Sequence, residues 1–177
     1  KIIVKEVNIM TLSFLRMSIA TIFTGLLILI YNKNLFKIEK GELFHYVRIG
    51  LLMAITFSLY VSALKYAPVN NVALITSLNI IIVALIAWIF LKEKLTSNQK
   101  IAIPLALVGL IILNPLSAGK AIGNMLAMIQ VIFYSLFIVF LRKEEKHTKI
   151  GSVFYFFLFA TIFLIPFPII YGIGNVQ

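Results

Sequence analysis

Cysteine is absent from the 177 residues, which excludes disulfides, thiolate metal sites and cysteine nucleophiles. Charge is scarce as well. Only 12% of residues are Asp, Glu, Lys or Arg, where soluble domains hold about a quarter. Acid is the scarcer sign, with 6 Asp and Glu against 16 Lys and Arg. Every acidic residue, from Glu6 to Glu145, falls outside the centres of the apolar runs, so no intramembrane carboxylate of the kind used in proton coupling is supplied. His45 and His147 lie in basic segments without carboxylates placed for metal binding. No acid, base or metal-ligand cluster stands at one depth, so a membrane-embedded enzyme is the weakest of three readings. No catalytic residue, metal ligand or cofactor is assigned.

What is present is apolar: 62% of the chain is hydrophobic, too much for an ordinary core-and-surface protein. Six windows, Ile9–Tyr31, Val47–Ala67, Val69–Leu91, Ile101–Leu116, Ile122–Leu141 and Ile150–Tyr171, fit helices of the roughly 20 residues that cross a bilayer. They predict an all-α integral membrane protein with six transmembrane helices and little room for a soluble domain. The first window is too long for a cleavable signal peptide and lacks a small-residue cleavage site after it.

The net charge of +10 would suit a nucleic-acid binder, but its distribution gives another reading. If the windows cross in turn, one side receives Lys33, Lys37, Lys40, Arg48, Lys92, Lys94, Lys100, Arg142, Lys143, Lys146 and Lys149. The other receives Lys1, Lys5, Lys65 and Lys120. Cytoplasmic loops carry the excess of Lys and Arg. The basic segments 32–48, 92–100 and 142–149 are therefore expected in the cytoplasm of a protein of the inner (cytoplasmic) membrane. Membrane lipids are the expected neighbours of this charge, and nucleic acid is not an expected partner.

Helix ends are legible. Pro68 suits the first turn of the helix after Ala67, where a missing N–H costs nothing. Thr96-Ser97-Asn98-Gln99 has the pattern of a capping box. Trp88 stands near a membrane interface. Ala102, Ala106 and Gly109 put small residues on one side of their span, predicting close approach by another helix. Pro166 and Pro168 predict a kink in the last helix. There is also a repeat: FLRMSIATIFTGLLILIY (Phe14–Tyr31) aligns without gaps to FYFFLFATIFLIPFPIIY (Phe154–Tyr171) at an offset of 140. The charge assignment makes these two segments antiparallel, as an inverted-topology repeat of five helices requires.

The block from Ala63 to Asn114 resembles the EamA domain of the drug/metabolite transporter (DMT) superfamily. Its marks are the Ala63–Pro68 turn ALKYAP, the small and polar opening of the next helix, the Leu91–Leu95 turn LKEKL, and the helix containing Gly109. Arg16 resembles the arginine that commonly opens the second helix of that domain. The resemblance implies an inverted five-plus-five helix-repeat transporter fold. Residues 1–116 would then be the first repeat without its first helix (helices two to five), and 117–177 the start of the second (helices six and seven). One departure is that Ile80 follows Asn79 where Asn-Pro is common, which predicts a straighter helix there.

A polar side chain inside a span is costly and therefore a functional candidate. Arg16 is placed either to hold an anionic group such as a carboxylate or to snorkel and fix packing. Asn70 and Asn71 suit a helix start, whereas Thr76 and Asn79 share a deeper face by i,i+3 spacing. Gln130 and Tyr134 form an i,i+4 pair, explained equally by interhelical bonding or by substrate contact. Tyr60, four residues after Thr56, completes the set. Glu93, between two lysines, reads as a solvated turn or a structural ion pair.

The leading expectation is a secondary transporter moving small organic metabolites by alternating access. By resemblance these are amino acids or related polar and amphipathic compounds, with uptake of S-adenosylmethionine a narrower option. The alternative is a truncated or decayed transporter without activity alone. A small-molecule metabolite is the expected partner, and a homodimer stays open as an assembly.

Overall fold

The computed structural model describes residues 9–37, 41–113, 121–143 and 151–171. Within them the chain is helical, without strands: α1 (Ile9–Tyr31), α2 (Leu43–Tyr66), α3 (Val69–Ser77), α4 (Asn79–Leu91), α5 (Ser97–Leu113), α6 (Ala121–Lys143), α7 (Ser152–Leu164) and α8 (Pro166–Tyr171), with a short 3₁₀ turn at Lys33–Phe36. Helix is the expected outcome for such apolar stretches, because lipid offers backbone groups no partner outside the chain. Five stretches among the described residues are long and apolar enough to cross a membrane: Met10–Tyr31, Leu43–Tyr66, Val69–Leu91, Ala121–Lys143 and Ser152–Ile170. The remaining window, Ile101–Leu116, holds α5, a helix of 17 residues, and residues 114–120 lie outside the described set.

Helix α2 is the centre of the bundle, packing on α6 and α7 and less extensively on α1. Its first half joins an apolar cluster with α1 and α7, built on Met17, Tyr46, Ile49, Met53, Phe156, Ala160 and Leu164. Its last residues join a second cluster with α3, α4 and α6, built on Ala63, Ala67, Val72, Ile75, Ile81, Ala127 and Val131. Two glycines set these contacts. A Cβ on Gly50 would stand 2.5 Å from Phe159 Cβ, and one on Gly123 would stand 2.5 Å from Ala67 Cβ and 2.6 Å from its amide nitrogen. Both glycines precede an alanine by four residues (Ala54 and Ala127), the small-residue spacing that lets membrane helices approach closely.

The predicted close approach along Ala102, Ala106 and Gly109 is not what the described residues form. Helix α5 makes no extensive packing with another helix, Ala102 and Ala106 are exposed, and a Cβ on Gly109 would meet nothing within 4 Å. Small residues permit contact but do not compel it; among the described residues no helix faces this groove. Two further expectations change. Segment 32–48 is not all loop, because α2 starts at Leu43, and His45 is a buried residue of its first turn, at 6% exposure. Its ring packs against Tyr46 and Phe156.

Although it lacks a proline, the Val69–Leu91 span is interrupted at Leu78, between α3 and α4. The cause is local. Thr76 Oγ1 and Ser77 Oγ donate back to the carbonyls of Ala73 and Leu74, and the backbone tightens to three-residue bonds, Leu78 N–H to Ile75 O and Ile81 N–H to Leu78 O. Hydroxyls that back-bond in this way bend helices without proline. In the last span the helix breaks at Ile165, just before Pro166, as a residue with no amide donor dictates.

The capping box is present as read. The Thr96 N–H donates to Gln99 Oε1 at 2.9 Å, and the Gln99 N–H donates to Thr96 Oγ1 at 3.3 Å. Pro68 is the N-cap itself, one residue ahead of the first turn. Helix α4 ends on Lys92 in the left-handed conformation, φ 55°, which sends the chain sharply back toward α5.

The two aligned segments, Phe14–Tyr31 and Phe154–Tyr171, fall on α1 and on α7–α8, and they touch. Phe36 and Gly25 lie against Phe154, whereas Thr21 meets Thr161, with oxygens 3.0 Å apart. Rising numbers on one segment meet falling numbers on the other, so the segments run antiparallel. Thr21 and Thr161 are themselves matched positions, 140 residues apart. Each is also within bonding distance of its own helix, Thr21 to Met17 O and Thr161 to Phe157 O. Two hydroxyl protons cannot serve three bonds, so either one threonine donates across to the other or both donate to their own helices and the 3.0 Å approach is a contact.

Candidate functional site

Between the two apolar clusters, α2 carries Thr56, Phe57 and Tyr60. Here the packing opens into a cavity of about 270 Å³, lined by Arg16, Thr56, Phe57, Tyr60, Thr76, Asn79, Gln130 and Tyr134. All six residues singled out from sequence (Arg16, Tyr60, Thr76, Asn79, Gln130 and Tyr134) are among these eight. They come from five helices, α1, α2, α3, α4 and α6. Asn79 stands near the middle of the 23-residue span Val69–Leu91, and Gln130 near the middle of the 23-residue span Ala121–Lys143. The cavity is therefore at mid-span, where water is scarce and each polar group must be accounted for.

The helix interruption at Leu78 positions two of these groups. Thr76 precedes the break and Asn79 opens the next helix, so both stand where the backbone ladder is disturbed. On α6 the four-residue spacing of Gln130 and Tyr134 puts both on the cavity face, and Thr56 and Tyr60 do the same from α2. Gln130 and Thr56 are 6% and 2% exposed, and Gln130 Oε1 and Thr56 Oγ1 have no hydrogen-bond partner among the described residues. Buried polar atoms are ordinarily paired, and one left unpaired costs about 1–3 kcal/mol. The Arg16 guanidinium lies over the Phe57 ring, 4.9 Å from its centre. It is thus turned to the cavity wall and held by a cation–π contact.

A second cavity, of about 400 Å³, shares Asn79 and Tyr134 with the first and continues past Ala87 to Glu93, Lys94, Gln99 and Arg142. At that end Arg142 Nη1 and Glu93 Oε2 form an ion pair of 3.0 Å. Of the two readings of Glu93, a solvated turn or an ion pair, the ion pair is made, with a partner on α6, while both side chains stay exposed. Asn79 and Tyr134 form the common wall between the two spaces.

Asn70 and Asn71 sit in the first turn of α3 and do not line the cavity. Phe57 is a lining residue that the sequence pattern did not single out, although it lies between Thr56 and Tyr60. Another cluster also went unread: Tyr46 Oη donates to the buried Glu42 at 2.6 Å, Ser152 Oγ donates to Tyr46 Oη at 3.3 Å, and the Tyr46 and Tyr155 rings stack. Spacing could not reveal it, because Ser152 and Tyr46 are 106 residues apart. Tyr155 also donates to Phe36 O, and Gly151 abuts Leu35. These contacts fasten the start of α7 to the segment between α1 and α2, as the Glu93–Arg142 pair fastens the α4–α5 turn to the end of α6.

A bundle of apolar helices, five of them long and apolar enough to cross a membrane, is that of a multi-pass membrane protein. Residues 1–114 match the EamA-like transporter family, and the chain belongs to that family. It is also 24% identical over 178 residues to a protein of Bacillus subtilis (strain 168) named "Uncharacterized transporter YetK", an alignment that covers 96% of this chain and 54% of the relative. The chain thus spans about half the length of the curated relative it matches. No solved structure matches it.

Proposed function

We propose that this chain is part of a secondary transporter that moves small organic metabolites across the cytoplasmic membrane by alternating access, with the mid-span cavity as its substrate chamber. The observation that carries the reading is the convergence of Arg16, Tyr60, Thr76, Asn79, Gln130 and Tyr134 from five helices on one cavity. Secondary transporters place substrates near the membrane midplane, beside interrupted helices and between repeats. The break at Leu78 supplies the interruption. Asn79 and Tyr134, shared by both cavities, form the division a substrate passes on its way to the Glu93–Arg142 end.

The architecture we propose is an inverted repeat in which residues 1–116 supply helices two to five of the first unit and 117–177 begin the second. Contact between the matched Thr21 and Thr161 favours it, because equivalent residues of two inverted units meet beside their two-fold axis. In this arrangement α5 is the fourth of six crossings. The basic segments 32–48, 92–100 and 142–149 are placed together in the cytoplasm. The Arg142–Glu93 and Tyr155–Phe36 contacts, which tie those segments into the same end of the bundle, support this.

Uptake of a broad panel of labelled metabolites into vesicles containing the full-length protein tests the function. At least one compound is expected to move, and Asn79→Ala and Gln130→Ala are expected to reduce its uptake severalfold at unchanged protein level. No movement of any compound overturns the reading. For orientation, single cysteines at positions 37, 97 and 146 are expected to label from the cytoplasm and one at 118 from outside; the reverse pattern overturns it.

A further inference from the structure

If the cavity is the substrate chamber, the charge on its wall restricts what it accepts. Arg16 is the one formally charged side chain among the lining residues. Its described contact is the face of Phe57, and no carboxylate meets it among the described residues. A ring face offsets part of the charge but accepts none of the in-plane bonds that a guanidinium offers through five N–H groups. Across the wall, Gln130 Oε1 and Thr56 Oγ1 are buried and without a partner among the described residues. The amide oxygen is an acceptor only, so it calls for a donor. Phe57, Tyr60 and Tyr134 supply the aromatic surface between them.

We propose that this cavity selects compounds of net negative charge: small carboxylates that seat their anionic group on Arg16, direct an O–H or amide N–H to Gln130 Oε1 and Thr56 Oγ1, and lay an apolar body against Phe57, Tyr60 and Tyr134. The proposal rests on the transport reading and departs from the amino acids that family resemblance implies. A zwitterion brings an ammonium that Gln130 Oε1 and Thr56 Oγ1 can accept from, but no carboxylate among the described lining residues neutralises its charge, so its desolvation is compensated only in part. A cation adds repulsion from Arg16 to the same cost. A 2-hydroxy acid satisfies the named groups, its hydroxyl donating to Gln130 Oε1 and accepting from the Thr56 hydroxyl.

The test uses three probes with one benzyl body: 3-phenyllactate (anion), free phenylalanine (zwitterion) and phenylalaninol (cation). Their apparent Kd values are titrated by thermal stabilisation of the purified full-length protein and of its Arg16→Gln and Arg16→Lys variants. In the unmodified protein 3-phenyllactate is expected to bind about tenfold or more tightly than either other probe, the scale of one charge-assisted hydrogen bond. Arg16→Gln is expected to abolish that preference and Arg16→Lys to keep part of it. Each variant is read by its own anion-to-cation ratio, so a general loss of stability cancels.

Equal or tighter binding of phenylalanine or phenylalaninol overturns the proposal. So does a preference that survives Arg16→Gln, or failure of all three probes to bind. Movement of only cations or zwitterions in the uptake panel overturns charge selection and leaves the transport reading standing. Failure of every compound to move removes the transport reading, while the order of binding still decides the charge preference.

Discussion

Helices α5 and α6 are both apolar and both carry a glycine in or near a run of small residues, yet among the described residues only α6 packs extensively on other helices, while α5 brings Ile103 against the second cluster. Helix α6 packs on α2, α3 and α4 and supplies Gln130 and Tyr134 to the cavity. Helix α5 contributes only Gln99, from its first turn, to the second cavity. Apolar character cannot distinguish them, because lipid tails are as apolar as leucine and give helices no hydrophobic reason to associate. The difference lies in backbone approach and in polar groups: Gly123 is pressed against Ala67, whereas Gly109 faces open space.

That contrast can be broken by adding one methyl group. Gly123→Ala would put a carbon 2.5 Å from Ala67 Cβ, forcing the α2–α6 contact apart at a cost of about 1–3 kcal/mol. Gly109→Ala has free space and is expected to be neutral or to stabilise by up to about 1 kcal/mol through helix propensity. Unfolding of the two variants in mixed micelles checks this, and equal effects would dissolve the distinction between the helices.

A smaller effect is expected where α1 crosses α7. Thr21→Val, Thr161→Val and the double variant form a cycle that isolates the interhelical bond. Its coupling is expected near 0.6 kcal/mol, the typical value for hydrogen bonds between membrane helices. Zero coupling would mean that both hydroxyls donate to their own helices and that the 3.0 Å approach is only contact.

The smallest effect belongs to Glu93→Gln. Its ion pair with Arg142 joins side chains that are 42% and 58% exposed, and exposed pairs contribute about 0–1 kcal/mol. Stability should change by less than about 1 kcal/mol and should respond to salt in the unmodified protein alone. A larger loss would make the pair a structural tie between the α4–α5 turn and α6.

Much of this was legible in the chain. The capping box at Thr96–Gln99 and the end of α1 at Tyr31 follow from short-range patterns that need no neighbours. The six polar candidates were recoverable because a polar group within an apolar run has few other uses. What sequence could not give is which face meets which helix. Gly109 carries the same small-residue signal as Gly50 and Gly123, and only the presence of a facing helix separates them. The break at Leu78 hides from a proline-based rule, since two hydroxyls produce it. The Glu42–Tyr46–Ser152 cluster depends wholly on the folded approach of α2 and α7.

The central claim, that the mid-span cavity is where a transported molecule sits, is tested most directly by substrate protection. Single cysteines are introduced by Asn79→Cys, in the cavity, and Gly109→Cys, on the open helix. Their reaction with a small thiol reagent is timed with and without a compound that the uptake panel identifies. The account predicts severalfold slower labelling at position 79 and no change at position 109. Unchanged labelling at 79, or equal slowing at both positions, would contradict it.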